Sequence, residues 1–269
     1  MTKIAFIGAG AMAEAVVSGL VNQQYVNNEQ IFVTNRENEE RLTYFRNKYG
    51  VKTTVNKQDI LTGANIVFIA TKPYDIESAL IDIRPYVSSN QLFISVVAGI
   101  STEQIKQYLQ VDAPIIRSMP NTSASIGLSA TAIAKGELAE DTHIETAREI
   151  FTSIGSVVEV EENDMHIVTA ISGSGPAYIY YLVEAMEAVA VEEGLSEEVA
   201  KTLIDQTIIG AGNMLKQSGE AAYTLRENVT SPNGTTAAGL DTLLQYKFQD
   251  AIKACVKSAK NRSIELGTE

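Results

Sequence analysis

The sequence predicts an α/β domain with a doubly wound parallel sheet, followed by an all-α C-terminal domain. Three observations predict it. Within residues 1–162 short apolar runs alternate with helical patterns, a glycine-rich turn follows the first run directly, and beyond about Asn163 only helical periodicity remains.

The runs KIAFI (3–7), IFVT (31–34), NIVFIA (65–70), LFISVV (92–97) and IIRSM (115–119) are bounded by Gly, Pro or Asn. They are apolar almost throughout and do not alternate, which is the pattern of parallel strands covered on both faces. Helical segments between them make right-handed βαβ units. In the second half Tyr178, Tyr181, Leu182, Ala185, Met186, Val189 and Ala190 recur at helical spacing. Gly194 reads as a helix stop. Ser196 then reads as the N-cap of a helix over 197–217 with acidic residues in its first turn. A last helix over about 241–264 carries Leu244, Phe248, Ala251, Ile252, Cys255 and Ala259 on one stripe. The expected division is therefore 1–162 and 163–269.

Composition excludes several classes. The chain has 269 residues, 45% apolar and 20% charged, as expected of a globular protein of one large or two ordinary domains. No apolar run reaches the roughly 18 residues a membrane span needs. The N-terminus enters a strand pattern at once, without the basic region or cleavage site of a signal peptide. A single cysteine, Cys255, cannot close an internal disulfide, which fits a reducing cytoplasm. A formal charge of −12 argues against a nucleic-acid partner and requires any anionic ligand to be held by local donors. Two histidines, His143 and His166, and one cysteine make no metal-ligand cluster.

The glycine-rich turn is Gly8-Ala9-Gly10-Ala11-Met12-Ala13, directly after the first strand and at the start of a helix. That is G-x-G-x-x-A in the setting of a dinucleotide fingerprint. Gly8 allows the tight turn, Gly10 lets a pyrophosphate approach the backbone, and Ala13 lets helix and strand pack closely. The second strand ends in Asn35 and Arg36, where an NAD site has Asp or Glu. A guanidinium there can clamp a 2′-phosphate, so NADPH is favoured and NADH remains possible in principle. The plainer reading of Arg36, with Glu37 beside it, is a solvated charge. Ala70-Thr71-Lys72-Pro73 and Val96-Val97-Ala98 follow the next two strands and line the crevice expected at carboxyl ends. Lys72 faces either the cofactor or solvent. Asn121 in SMPNT either meets the nicotinamide amide or forms a simple Pro-Asn turn.

Two further motifs are SGSGPAY (172–178) and LRENVTSPNGTTAAGL (225–240). With IGAGAMAEA, TKP and SMPNT, in order from residue 4 to about 260, they resemble the Δ1-pyrroline-5-carboxylate reductase family. The resemblance implies a Rossmann-type α/β domain followed by an all-α C-terminal dimerisation domain. It implies NAD(P)H-dependent reduction of 1-pyrroline-5-carboxylate to L-proline, the last step of proline biosynthesis. It also implies a homodimer intertwined through its C-terminal helices, often assembled further into a decamer. Asn56 and Asn228 would be additional cofactor contacts. The 231–236 loop would grip the substrate carboxylate through Ser231, Asn233, Gly234, Thr235 and Thr236. Thr236 is then the catalytic candidate, near the ring nitrogen directly or through water.

The loop chemistry agrees with that implication. Pro232 presets the first central position of a β-turn, and Asn233 can take the left-handed conformation at the second. Gly234 leaves backbone exposed, and Thr235 or Thr236 can cap a helix beginning AAGL. The family usually has Gly-Gly where this chain has Asn233-Gly234. A helix N-terminus with several N–H donors and hydroxyls suits a carboxylate. Two rival readings are weaker. A β-hydroxyacid dehydrogenase needs a base, supplied in that family by a lysine in the segment matching 172–182, and no lysine occurs between Gly136 and Ala200. A non-catalytic NADPH sensor would keep GAGAMA but has no use for SPNGTT.

Overall fold

The computed structural model describes residues 2–267. They form two compact units: one gathers the chain up to Pro176 and from Lys257 onward, the other is Ala177–Val256.

The first unit holds eight strands: Ile4–Ile7 (β1), Ile31–Thr34 (β2), Lys52–Thr53 (β3), Ile66–Ile69 (β4), Leu92–Ser95 (β5), Ile115–Met119 (β6), Ser129–Lys135 (β7) and Gly155–Glu159 (β8). Their helices are Ala11–Asn22 (α1), Glu39–Tyr49 (α2), Lys57–Leu61 (α3), Ile76–Ile83 (α4), Thr102–Leu109 (α5), Asp141–Thr152 (α6) and the short Met165–Val168 (α7). The strand order is β3-β2-β1-β4-β5-β6-β7-β8. All pairs are parallel except β6 with β7. All four residues of β1 are buried, yet they serve two cores. Ile4 and Phe6 join Val16, Leu20, Phe45 and Phe151 on one face. Ala5 and Ile7 join Ile60, Leu80 and Ile105 on the other. This double covering is why the strands read as continuously apolar. Phe6 stacks on Phe68 with centroids 4.6 Å apart.

The five strands expected from sequence all form, and three more join them. β3 has only two residues. β7, SATAIAK, carries three alanines and little of the β-branched density that marks a strand, and is held by pairing with both β6 and β8. It also departs from the expected all-parallel arrangement, because the short connection after β6 turns the chain straight back.

In the second half, α8 (Gly175–Glu192), α9 (Glu197–Gln217), α10 (Ala222–Asn228), α11 (Thr235–Gln245) and α12 (Phe248–Glu265) follow. Ser196 caps α9 as expected, accepting from the Val199 N–H at 3.4 Å. The single helix expected over 241–264 is two helices. Lys247 adopts φ +54°, which ends α11 and redirects the chain into α12. No glycine, asparagine or proline marks that break. Among the described residues of Ala177–Val256, only Ala200 and Ile204 are buried in the single chain. Tyr181, Leu244 and Tyr246 are each more than three-quarters exposed. No helix among the described residues is long and apolar enough to cross a membrane.

Candidate active site

The parallel strands β2, β1, β4, β5 and β6 are consecutive neighbours, so their carboxyl ends form one edge. Along it stand Arg36, the Gly8 turn, Ala70–Pro73, Val96–Ala98 and Asn121 in that order. At about 4.8 Å per strand the edge runs roughly 19 Å. The strand order reverses between β1 and β4, where such sheets form their ligand crevice.

Gly8 begins the turn with φ +115°, and a Cβ there would lie 2.3 Å from the Ala70 carbonyl oxygen. Gly10 occupies the N-cap position of α1 with extended backbone and no side-chain cap. A Cβ on Gly10 would meet nothing within 4 Å, so the space above the helix N-terminus is open. The first-turn amides of Ala11, Met12 and Ala13 have no intrahelical acceptors, and Ala13 is buried against the sheet.

The first turn of α1 also bears Glu14, unremarked in the sequence reading. Its Oε1 accepts from Tyr44 Oη at 2.7 Å, Tyr49 Oη at 2.8 Å and Lys48 Nζ at 3.1 Å. Its Oε2 accepts from Arg41 Nη2. Arg41 Nε donates to the Ala9 carbonyl, inside the glycine turn, at 2.8 Å. Arg41, Tyr44 and Lys48 share one face of α2 by their i, i+3, i+7 spacing. Burial pushes the Glu14 carboxyl up, but the bonds from Tyr44, Arg41, Tyr49 and Lys48 outweigh it and hold the pKa at about 2. An unfolded carboxyl titrates near 4.5. The unfolded chain therefore takes up this proton first, and the stabilisation is complete above that pH and lost as pH falls toward 2. Glu14→Gln should accordingly narrow its stability deficit against the unsubstituted chain between about pH 4.5 and 2, followed by urea unfolding; a deficit constant with pH would contradict this. The signal that could have found the cluster is a carboxylate at a phosphate-binding turn, which demands compensating cations nearby.

The remaining expected cofactor positions vary in freedom. Arg36 Nη2 lies 3.2 Å from Asp75 Oδ1 and 3.3 Å from Ser78 Oγ, with the side chain 68% exposed. Asn35 braces its own loop, exchanging bonds with Asn38. Asn56 is exposed at the N-cap of α3, accepting from the Gln58 N–H. Thr71 Oγ1 is buried without a hydrogen-bond partner. Lys72 is exposed, and Pro73 opens a short 3₁₀ turn. Val97 is buried, while Val96 and Ala98 are half-buried. Asn121 is buried with both ends of its amide engaged: Oδ1 accepts from the Ser123 N–H and Nδ2 donates to the Ser172 carbonyl. It thereby ties β6 to a π-helical turn at Thr169–Gly173, a feature absent from the sequence reading.

Behind the β5 loop, Gly99 packs on the returning C-terminal segment, where a Cβ would meet Leu266 at 3.1 Å and the Ser263 carbonyl at 3.2 Å. His166 Nδ1 contacts Ser263 Oγ at 3.0 Å. Burial lowers the His166 pKa, with the Arg117 charge adding to it, which favours the neutral imidazole. Arg117, on β6, is fully buried and reaches Glu162 Oε1 at 3.4 Å. Glu162 in turn accepts from the Thr102 N–H and hydroxyl at the start of α5.

In the helical unit, Ser231–Gly234 forms the expected turn. The Gly234 N–H donates to the Ser231 carbonyl at 3.0 Å, and Asn233 takes φ +59°. The helix, however, begins at Thr235, with Gly234 at the N-cap and no side-chain cap. Neither Thr235 nor Thr236 caps it, because both already lie in its first turn. Their first-turn amides have no intrahelical acceptor, and both residues are exposed. Asn228, at the end of α10, donates to Glu220 Oε2 at 3.2 Å.

A glycine turn at the switch point of a doubly wound sheet defines a dinucleotide-binding domain, here followed in the chain by a helical unit with little core of its own. A family model described as an NADP oxidoreductase, coenzyme F420-dependent, matches residues 3–99, and one described as pyrroline-5-carboxylate reductase dimerisation matches 162–266. Pyrroline-5-carboxylate reductase 1 of Bacillus subtilis is 43% identical over 99% of this chain and 90% of its own. The solved pyrroline-5-carboxylate reductase of Coxiella burnetii superposes with a TM-score of 0.90 at 34% identity, over 98% of both chains. That of Plasmodium falciparum, solved with NADP bound, gives 0.89 at 30% identity over 99% and 98%. The chain belongs to the pyrroline-5-carboxylate reductase family, and its C-terminal part is a dimerisation domain.

Proposed function

We infer that the chain reduces 1-pyrroline-5-carboxylate to L-proline with NADPH, the last step of proline biosynthesis, as a cytoplasmic homodimer that assembles further into a decamer. Residues 1–162 bind the nucleotide and 163–269 supply dimerisation and the substrate grip. The observation that carries the reading is the Ser231–Thr236 turn, a helix start with uncapped amides and two exposed threonines, in a chain whose other unit presents a dinucleotide edge.

The residues fit the cofactor. The open space over Gly10, the uncapped α1 N-terminus and the buried Thr71 Oγ1, which has no hydrogen-bond partner in the chain, suit a phosphate and ribose. When bound, the nicotinamide supplies the hydride that reduces the imine carbon. Arg36 clamps the 2′-phosphate, braced by Asp75 and Ser78. Ala70–Pro73 and Val96–Ala98 wall the crevice. Ser231, Asn233 and Thr235 hold the carboxylate through N–H groups and hydroxyls, while Gly234, whose own N–H closes the turn on the Ser231 carbonyl, lets the carboxylate approach the backbone. Thr236 keeps a proton at the ring nitrogen as it becomes the amine. Orientation supplies most of the acceleration.

Oxidation of NADPH by the purified chain with pyrroline-5-carboxylate tests the reading, with 3-hydroxy acids and NADP as controls. Absence of turnover with the imine would sink it. Arg36→Met is expected to raise the KM for NADPH at least about tenfold while moving that for NADH less than about twofold, the loss of one charge-assisted clamp. Equal effects on both would remove Arg36 from the 2′-phosphate.

A further inference from the structure

We propose that Arg41 is a positioning residue for the dinucleotide: its guanidinium, held by Glu14, fixes the Ala9 carbonyl and so aims the Gly10 N–H at the pyrophosphate. This rests on the NADPH reading above and adds a residue from α2 to it. In a planar trans peptide the carbonyl and the following N–H point in opposite directions. The Ala9 carbonyl faces Arg41 Nε at 2.8 Å. The Gly10 N–H is therefore turned away from α2, toward the side where a Gly10 Cβ would find nothing within 4 Å.

The anchoring is asymmetric in a useful way. Tyr44, Tyr49 and Lys48 all converge on Glu14 Oε1, leaving Oε2 for Arg41. One guanidinium makes both the carboxylate and the carbonyl contacts, which a single ammonium cannot reproduce. Both side chains are about three-quarters buried, at 28% and 21% exposure, so water competes weakly for these bonds. The cations also answer an electrostatic need. A carboxylate in the first turn of the phosphate-binding helix would repel the pyrophosphate unless neutralised.

The test measures NADPH and NADH binding to Arg41→Met, Arg41→Lys and the Glu14→Gln/Arg41→Met pair. Nucleotide fluorescence serves as the probe, since the chain has no tryptophan. Arg41→Met should weaken both cofactors by the same factor, about tenfold, with kcat at saturating cofactor within about twofold. Arg41→Lys should fall between. The double variant should stay at least about fivefold weak, because removing the carboxylate does not restore the carbonyl's anchor. Full recovery in the double variant would reduce Arg41 to a neutralising charge and overturn the proposal, as would unchanged binding in the single variants. If Arg41→Met does not fold, Arg41→Lys carries the same criterion. An unsubstituted chain that bound no NADPH would instead overturn the functional reading, and this inference with it.

Discussion

Gly10→Ala is expected to leave the fold intact and weaken NADPH by about tenfold to a hundredfold, whereas Gly8→Ala should damage the fold itself. The two glycines sit two residues apart and look equivalent in the motif. Gly10 has φ −78° and ψ −177°, backbone any residue adopts, and open space where its Cβ would go. Its alanine should change stability by less than about 0.5 kcal/mol. The methyl would instead occupy the approach of the pyrophosphate, an overpacking cost of about 1–3 kcal/mol taken entirely from binding. Gly8 has φ +115°, and its Cβ would lie 2.3 Å from the Ala70 oxygen and 2.7 Å from the Ala70 carbon, both backbone atoms of β4's continuation. Neither can move without disturbing the sheet. Strain and overlap together should cost about 3–5 kcal/mol. Urea unfolding and NADPH titration on both variants separate the cases. A stable Gly8→Ala that bound cofactor normally would contradict the geometry of this turn.

Thr236→Val should lower kcat about a hundredfold while leaving NADPH affinity within about twofold. Valine keeps the shape of threonine and its place in the first turn of α11, so the Ser231–Gly234 turn should persist. Only the hydroxyl is lost. If kcat held and only the KM for the imine rose, Thr236 would be a binding contact made equally in the ground and transition states. Holding the proton at the ring nitrogen would then belong elsewhere.

The parts of the fold legible in the sequence are those where one physical cause dominates. β1, β2, β4, β5 and β6 are buried on both faces, and continuous apolar runs follow from that alone. β7 is decided by its partners rather than its composition, so its alanines concealed it. The left-handed Asn233 was legible because few residues tolerate that conformation. Lys247, with φ +54°, was not, since lysine carries no such signature. Within the candidate site, the glycine turn could be read from spacing, and its backbone geometry bears that out. The Glu14–Arg41–Ala9 contact spans 27 residues from Glu14 to Arg41 and exists only because α1 and α2 pack side by side. The helix start after SPNG is legible but lies two residues earlier than AAGL suggests, at Thr235 rather than Ala237, because Gly234 can occupy an N-cap position that hydroxyls usually fill.

The sparse interior of the helical unit has a thermodynamic corollary. With Ala200 and Ile204 as its buried residues in the single chain, those helices cannot offset the entropy of ordering Ala177–Val256 from their own interior. Pairing of chains and completion of the tertiary structure then become one equilibrium. Its midpoint should then shift with protein concentration, so that dilution would act on this protein as a denaturant does on others.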